Sequence, residues 1–260
     1  WITSRGLGDV YKRQIQGNNT LGIKATALVN EGVVYGQGDT SLDASTIENE
    51  GTIQSSEALK VSGADIINRG FMIGAKSMAV EANELSNEYG GMVQSGDELN
   101  ISGTRVDNAG TILGVGNVTG IFETVNNSGI MQSNTQLSIT ASELANSGQL
   151  LGKSSVTMNI EQGLNTGLIQ SWGNATIAGD ALANSGVIMT GGDVDVSVSD
   201  MRNSGSMQSG GVLSIDGSEF ANSGSIMSGT QLLIDVDEYT NSGTQISDGL
   251  ATVTVGSLIN

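Results

Sequence analysis

The 260-residue sequence predicts an all-β fold: a parallel, right-handed β-helix solenoid with 19-residue coils. Three observations carry that expectation. Asn recurs as one series, Asn30, Asn49, Asn68, Asn87, Asn108, Asn127, Asn146, Asn165, Asn184, Asn203, Asn222, Asn241 and Asn260, with every step 19 except the 21 from Asn87 to Asn108. With Asn as position 0, Gly stands at +2 in eleven of the twelve complete repeats. Apolar residues keep fixed places between these corners and alternate at strand period, without any helical period.

The elements follow in order along one repeat. The Asn-x-Gly corner is a turn in which Gly is expected to supply positive φ and Asn to bond the backbone. Stacked once per coil, the Asn amides are also expected to bond one another as an inward ladder, in contrast to Asn acting only as a solvated turn former. Position +4 is usually apolar, as at Val34, Ile53, Met72, Ile112, Leu150 and Ile188. Positions +10 and +12 alternate as a strand pair, as in Leu59/Val61, Leu137/Ile139 and Leu213/Ile215. Position +17 is large and apolar, as at Ile47, Leu85, Val106, Leu182, Met201, Phe220 and Tyr239. Three apolar clusters separated by Gly, Ser and Asn predict three short strands and three bends per coil. One coil cannot bury its own inward face, but stacked coils can, with hydrogen bonds running along the axis. About thirteen coils, some partial, give a rod on the order of 60 Å long at strand spacing.

Some repeats depart from this pattern. Gly163 occupies a +17 core slot with Leu164 one place late, and Gly120 replaces the apolar residue at +12. The repeat at Asn87 carries two extra residues around Glu88–Tyr89. Each departure puts local packing in question.

Register is lost at the N-terminus, where Tyr11 stands in place of the next Asn, although Ile15 and Gln16 already match Ile53 and Gln54. Ser4 to Gln14 looks like the in-frame translation of a transposon-based sequencing adapter. Residues 1–14 are therefore set aside, and 15–260 are read as solenoid from a longer protein. Without that segment the chain holds 7 basic and 26 acidic residues, a net charge of −19.

This acidity argues against nucleic acid as a partner and against attraction to an anionic membrane. No apolar run approaches the ~20 residues of a membrane-spanning helix, so no membrane insertion is expected. The chain has no Cys and no His, which removes disulfides, thiolate metal sites and the commonest general base. It also has no Pro, as suits segments that all donate N–H groups to neighbours.

The repeat Asn-Ser-Gly-x-Ile-x-Ser-Gly-x-x-Leu-x-Ile-x-Ala-x-x-Leu-x, seen well in Asn203–Ala221 as NSGSMQSGGVLSIDGSEFA, resembles the haemagglutinin repeats of filamentous haemagglutinin-like proteins. These are exoproteins of bacterial two-partner secretion, among them adhesins and contact-dependent inhibition proteins. The resemblance runs from Ile15 to Asn260. It implies a secreted, structural or adhesive shaft on the surface of a Gram-negative bacterium, exported by an outer-membrane two-partner secretion transporter. It implies as partner a host or neighbouring-cell surface receptor or glycan. It carries over no binding residue, because the repeats have no catalytic motif.

No catalytic, cofactor-binding or metal site is expected, no cofactor is expected, and the chain is read as a non-enzyme. Two alternatives stand beside that reading. Acidic residues recur at +16, at Asp65, Glu84, Glu143, Asp200, Glu219 and Glu238, and with Asp193, Asp195, Asp216, Asp235 and Asp237 they make the C-terminal third strongly acidic. They form either a solvated face or a calcium-stabilised segment, although the Gly-Gly-x-Gly-x-Asp calcium repeat is absent. The other alternative is a polysaccharide-acting β-helix enzyme, which would need paired carboxylates. Trp172 and Tyr35 are candidate exposed aromatics able to stack on a sugar, or else packing residues. Phe220 and Tyr239 read as a stacked core pair whose hydroxyl needs a partner. The Met residues at +4 and +5 read as core filler.

Overall fold

The computed structural model describes residues 14–260, and all regular structure in them is strand. The set-aside segment 1–14 lies outside the described residues except for Gln14, which opens the first strand. Each coil contributes one short and one long strand. β1 (Gln14–Gly17) and β2 (Leu21–Asn30) begin the series, and β25 (Thr244–Ser247) and β26 (Leu250–Ile259) end it. The short strands form one parallel 13-stranded sheet and the long strands a second. Every strand pairs with its equivalent in the next coil, as in Val34↔Ile53 and Leu137↔Val156. The fold is a parallel β-helix of thirteen coils.

Two strands per coil replace the three expected. In β8 (Met78–Asn87) the inward residues are Met78, Val80, Ala82, Leu85 and Asn87. Alternation holds through +14, slips by one at the exposed pair Asn83–Glu84, and resumes at +17. Position +15 joins no ladder pair; Ala64 and Asn83, for example, are skipped between Gly63↔Ala82 and Asp65↔Glu84. The third bend therefore exists as a phase slip inside one continuous strand. Pairing is lost there at only one or two residues, one between Gly63 and Asp65 and two between Ser197 and Asp200, so the +10 and +17 clusters share a sheet.

The core is a single column. Residues at +4, +10, +12 and +17 are buried through the middle coils, from Ile53, Leu59, Val61 and Ile66 to Ile226, Leu232, Ile234 and Tyr239, except at Gly163. Met72, Met131 and Met207 at +4 fill it, but Met189 and Met227 at +5 do not. Position +5 points outward on a four-residue strand, and Met227 is 39% exposed. The +5 Met residues are thus surface residues.

The irregular repeats keep their packing by a common device. Gly120 leaves room at +12 that Phe122 at +14 fills: a Cβ on Gly120 would lie 2.7 Å from the Phe122 ring. Gly163 leaves room at +17 that Ile160 at +14 fills, 2.4 Å from the site of a Gly163 Cβ. Position +14 holds Ala44, Ala82 and Ala141 in regular coils, so the volume moves along the strand while the column stays full. The two extra residues, Tyr89 and Gly90, are looped out, with Gly90 at φ 86° and Gly91 N–H closing a turn onto Glu88 O. Pairing resumes at Met92 in register with Phe71.

Candidate interaction surfaces

Corner geometry decides which residues face outward. Asn30 Nδ2 donates to Asn49 Oδ1, and the pattern repeats through Asn241 to Asn260 as twelve hydrogen bonds of 2.7–2.8 Å. The second amide proton reaches the backbone carbonyl at +3 of the next coil, as from Asn49 to Phe71 O at 3.1 Å. From Asn30 to Asn222 these side chains are buried, and no buried side-chain N or O among the described residues lacks a partner. The Asn series is an inward ladder and a fully satisfied polar spine. Residues at +1, such as Ser185, are exposed.

Gly at +2 serves a purpose other than the one expected. Among the described residues φ is positive only at Gly90 and Gly179, neither of which is a +2 corner. A Cβ on Gly51, Gly129 or Gly205 would lie 2.0–2.1 Å from the carbonyl oxygen of the +2 residue one coil earlier. The corner needs Gly because the stacked backbones touch, which is a contact between coils. A second buried row lies at +6, where Ser55, Ser133 and Ser209 each donate through Oγ to a carbonyl of the preceding coil, Gly38, Gly116 and Gly192, at 2.8 Å. This row pins the opposite corner. Its signal in the sequence is a small residue, Gly, Ser or Thr, at +6 of every coil.

The acidic positions are brought together only as ladders. Asp200, Glu219 and Glu238 are in register on consecutive coils, as are Asp216 and Asp235. They lie on the outer side of the long sheet, and Arg202 donates to Asp200. Among the described residues no three His, Cys, Asp or Glu side chains converge as a metal-holding group. Phe220 and Tyr239 are the expected core pair, stacked at 4.9 Å and 4° between ring planes. The Tyr239 hydroxyl accepts from Gln245 Nε2, and burial pushes its phenol pKa up, so it stays neutral.

Two open grooves follow the Asn corner. One, of about 530 Å³, runs past Tyr89, Asp107, Asn126, Ser128 and Ser147 to Leu164; the next, of about 260 Å³, continues past Ala183 and Arg202. Tyr89 is 92% exposed and Leu164 47%. Both carboxylates of the first groove are engaged, Glu88 by a two-pronged Arg69 contact at 2.8 and 2.9 Å and Asp107 by Arg105 at 2.8 Å. Partial burial alone would raise the Asp107 carboxyl, but hydrogen bonds from Arg105 and Asn126 and the Arg105 charge outweigh it and hold the group below its ordinary value. On the short-sheet side Trp172 is 66% exposed with the Lys153 ammonium 5.6 Å from its ring centroid, whereas Tyr35 lies along the face with its hydroxyl 2.7 Å from Ser56 Oγ. The sequence places Trp172 at a corner correctly, but neither groove is visible there, because each is built from the +18 and +1 residues of several coils. Comparison of the chain with protein-family models, with curated proteins and with solved structures returned no match.

Proposed function

We propose that this chain is a structural shaft from a secreted bacterial surface protein of the filamentous haemagglutinin-like type, acting as adhesin stalk or toxin-delivery stick and not as a catalyst. The observation that supports it most is the unbroken Asn ladder over twelve steps. A rod whose coils are interchangeable transmits position and spaces its ends apart. The one insertion, Tyr89–Gly90, is too short to build a cleft. On this proposal an outer-membrane two-partner transporter exports the parent, which then meets a receptor or glycan on a host or neighbouring cell. The experiment is recovery of the genes flanking the parent gene. An adjacent outer-membrane two-partner transporter is the expected result. An operon of cytoplasmic enzymes without a secretion partner would contradict the proposal. Incubation with cell-wall and host glycans tests the non-catalytic part, and release of reducing ends would overturn it.

A further inference from the structure

We infer that the outer face of the short-strand sheet is an interface for a second copy of this chain, which packs two rods side by side. The inference goes beyond the proposed shaft role and does not depend on it. It starts from charge. The thirteen short strands, from QIQG to TQIS, contain no Asp, Glu, Lys or Arg, in a chain of net charge −17. Their outward positions, +3 and +5, hold instead Phe71, Ile73, Leu113, Leu151, Met189 and Met227, interleaved with Gln side chains. Phe71 is 45% exposed and Ile246 at the far end also 45%. The acids lie on the long sheet and along the two edges of this face, where Glu50, Arg69 and Glu88 line one side and Glu57 and Lys76 the other. An apolar, uncharged centre with a polar, charged rim is the anatomy of a protein interface.

Size selects the occupant. Four residues at strand rise give a face about 13 Å wide, and thirteen strands give a length on the order of 60 Å, hence roughly 800 Å². Two such faces together bury about 1,600 Å², the size of a standard stable interface. Charge selects it too. A strongly acidic rod repels its own kind across the long sheet, where the Asp200–Glu219–Glu238 ladder stands, so a matching uncharged face is the complement of this one, and association closes at two copies. Salt should strengthen the pair, because screening weakens repulsion between the remaining acids.

The test is sedimentation equilibrium of the full chain over a concentration and salt series. A dimer that strengthens with salt is expected. The variant Leu113→Lys, Leu151→Lys, Met189→Lys should weaken it at least tenfold, while Thr119→Lys, Thr157→Lys, Thr176→Lys on the outer side of the long sheet should leave it in place. The chain has no Cys, so a single Gln132→Cys variant with a flexible thiol cross-linker gives an independent reading that adds no charge. A covalent dimer should form from Gln132→Cys and not from Thr176→Cys. A monomer at all concentrations, as for a face meant for a neutral polysaccharide or another protein, would overturn the inference. So would association that the three lysines on the short-sheet face leave unchanged, which would mean contact through the rod ends.

Discussion

Asn184 is held through both its side chain and its main chain: it accepts from Asn165 Nδ2, donates to Asn203 Oδ1 and Ser206 O, and its main-chain carbonyl receives two N–H groups, from Ser204 and Gly205. Replacing it with Ala leaves buried amide groups unpaired above and below, at about 1–3 kcal/mol. Ser185→Ala, at an exposed position, should stay within about 0.5 kcal/mol. Thermal melts of the two variants check this, and equal losses would remove the ladder's role. Gly205→Ala should also destabilise, by more than the ~1 kcal/mol typical of a backbone-propensity change, because its Cβ meets Gly186 O at 2.1 Å. Gly22→Ala, where a Cβ meets nothing within 4 Å, is the control. The ladder was legible because strict recurrence of Asn is hard to explain by turn formation alone. The reason for Gly was not, since a contact between successive coils leaves no mark within one repeat. Asp107 adds a pH dependence. Its folded pKa is lowered, so its stabilising contribution is complete above the ordinary carboxylate value of about 3.9 and is lost as pH falls through the lower folded value. Asp107→Asn should therefore lower Tm slightly at neutral pH, as befits so exposed a pair, and the difference should vanish in strong acid.

At the scale of the strand, the long element is where sequence pattern and structure diverge. Apolar clusters at +10/+12 and +17 look like separate strands because their phases differ by one residue. The chain absorbs that slip by dropping out of the ladder at +15, as at Asn83, and rejoining it at +16 in the same sheet, a bend that apolar periodicity alone does not distinguish from a break between strands. Position +14 leaves no clear mark in the sequence for a related reason. It holds Ala or Gly in seven of the twelve complete repeats, and its importance shows where a neighbour fails, at Phe122 beside Gly120 and Ile160 beside Gly163. Phe122→Ala should cost about 3–5 kcal/mol as a buried aromatic deletion. Adding Gly120→Val should recover part of that loss, although Gly120→Val alone should destabilise by collision with the Phe122 ring. Denaturant unfolding of the four proteins of this cycle gives the coupling, and simple additivity would contradict the exchange of volume between the two sites.

For the whole molecule, the period alone carried the coil count, the parallel pairing and the single apolar column. The partition of charge between the two sheets was present in the same residues but became visible only once the outward positions of the short strands were known. The grooves along the Asn corner belong to this scale too, since no single repeat contains one. The central claim is that equivalent residues of successive repeats stack in one fixed register along the whole rod. Nuclear magnetic resonance of the Asn side-chain amides tests it most directly. The account predicts through-space contacts from each Asn amide to the Asn one repeat later, from Asn30–Asn49 to Asn222–Asn241 and including the 21-residue step Asn87–Asn108, with slow hydrogen exchange at the buried sites. Asn amides that exchange at solvent rates, or that show no contact with their neighbours in the series, would contradict it.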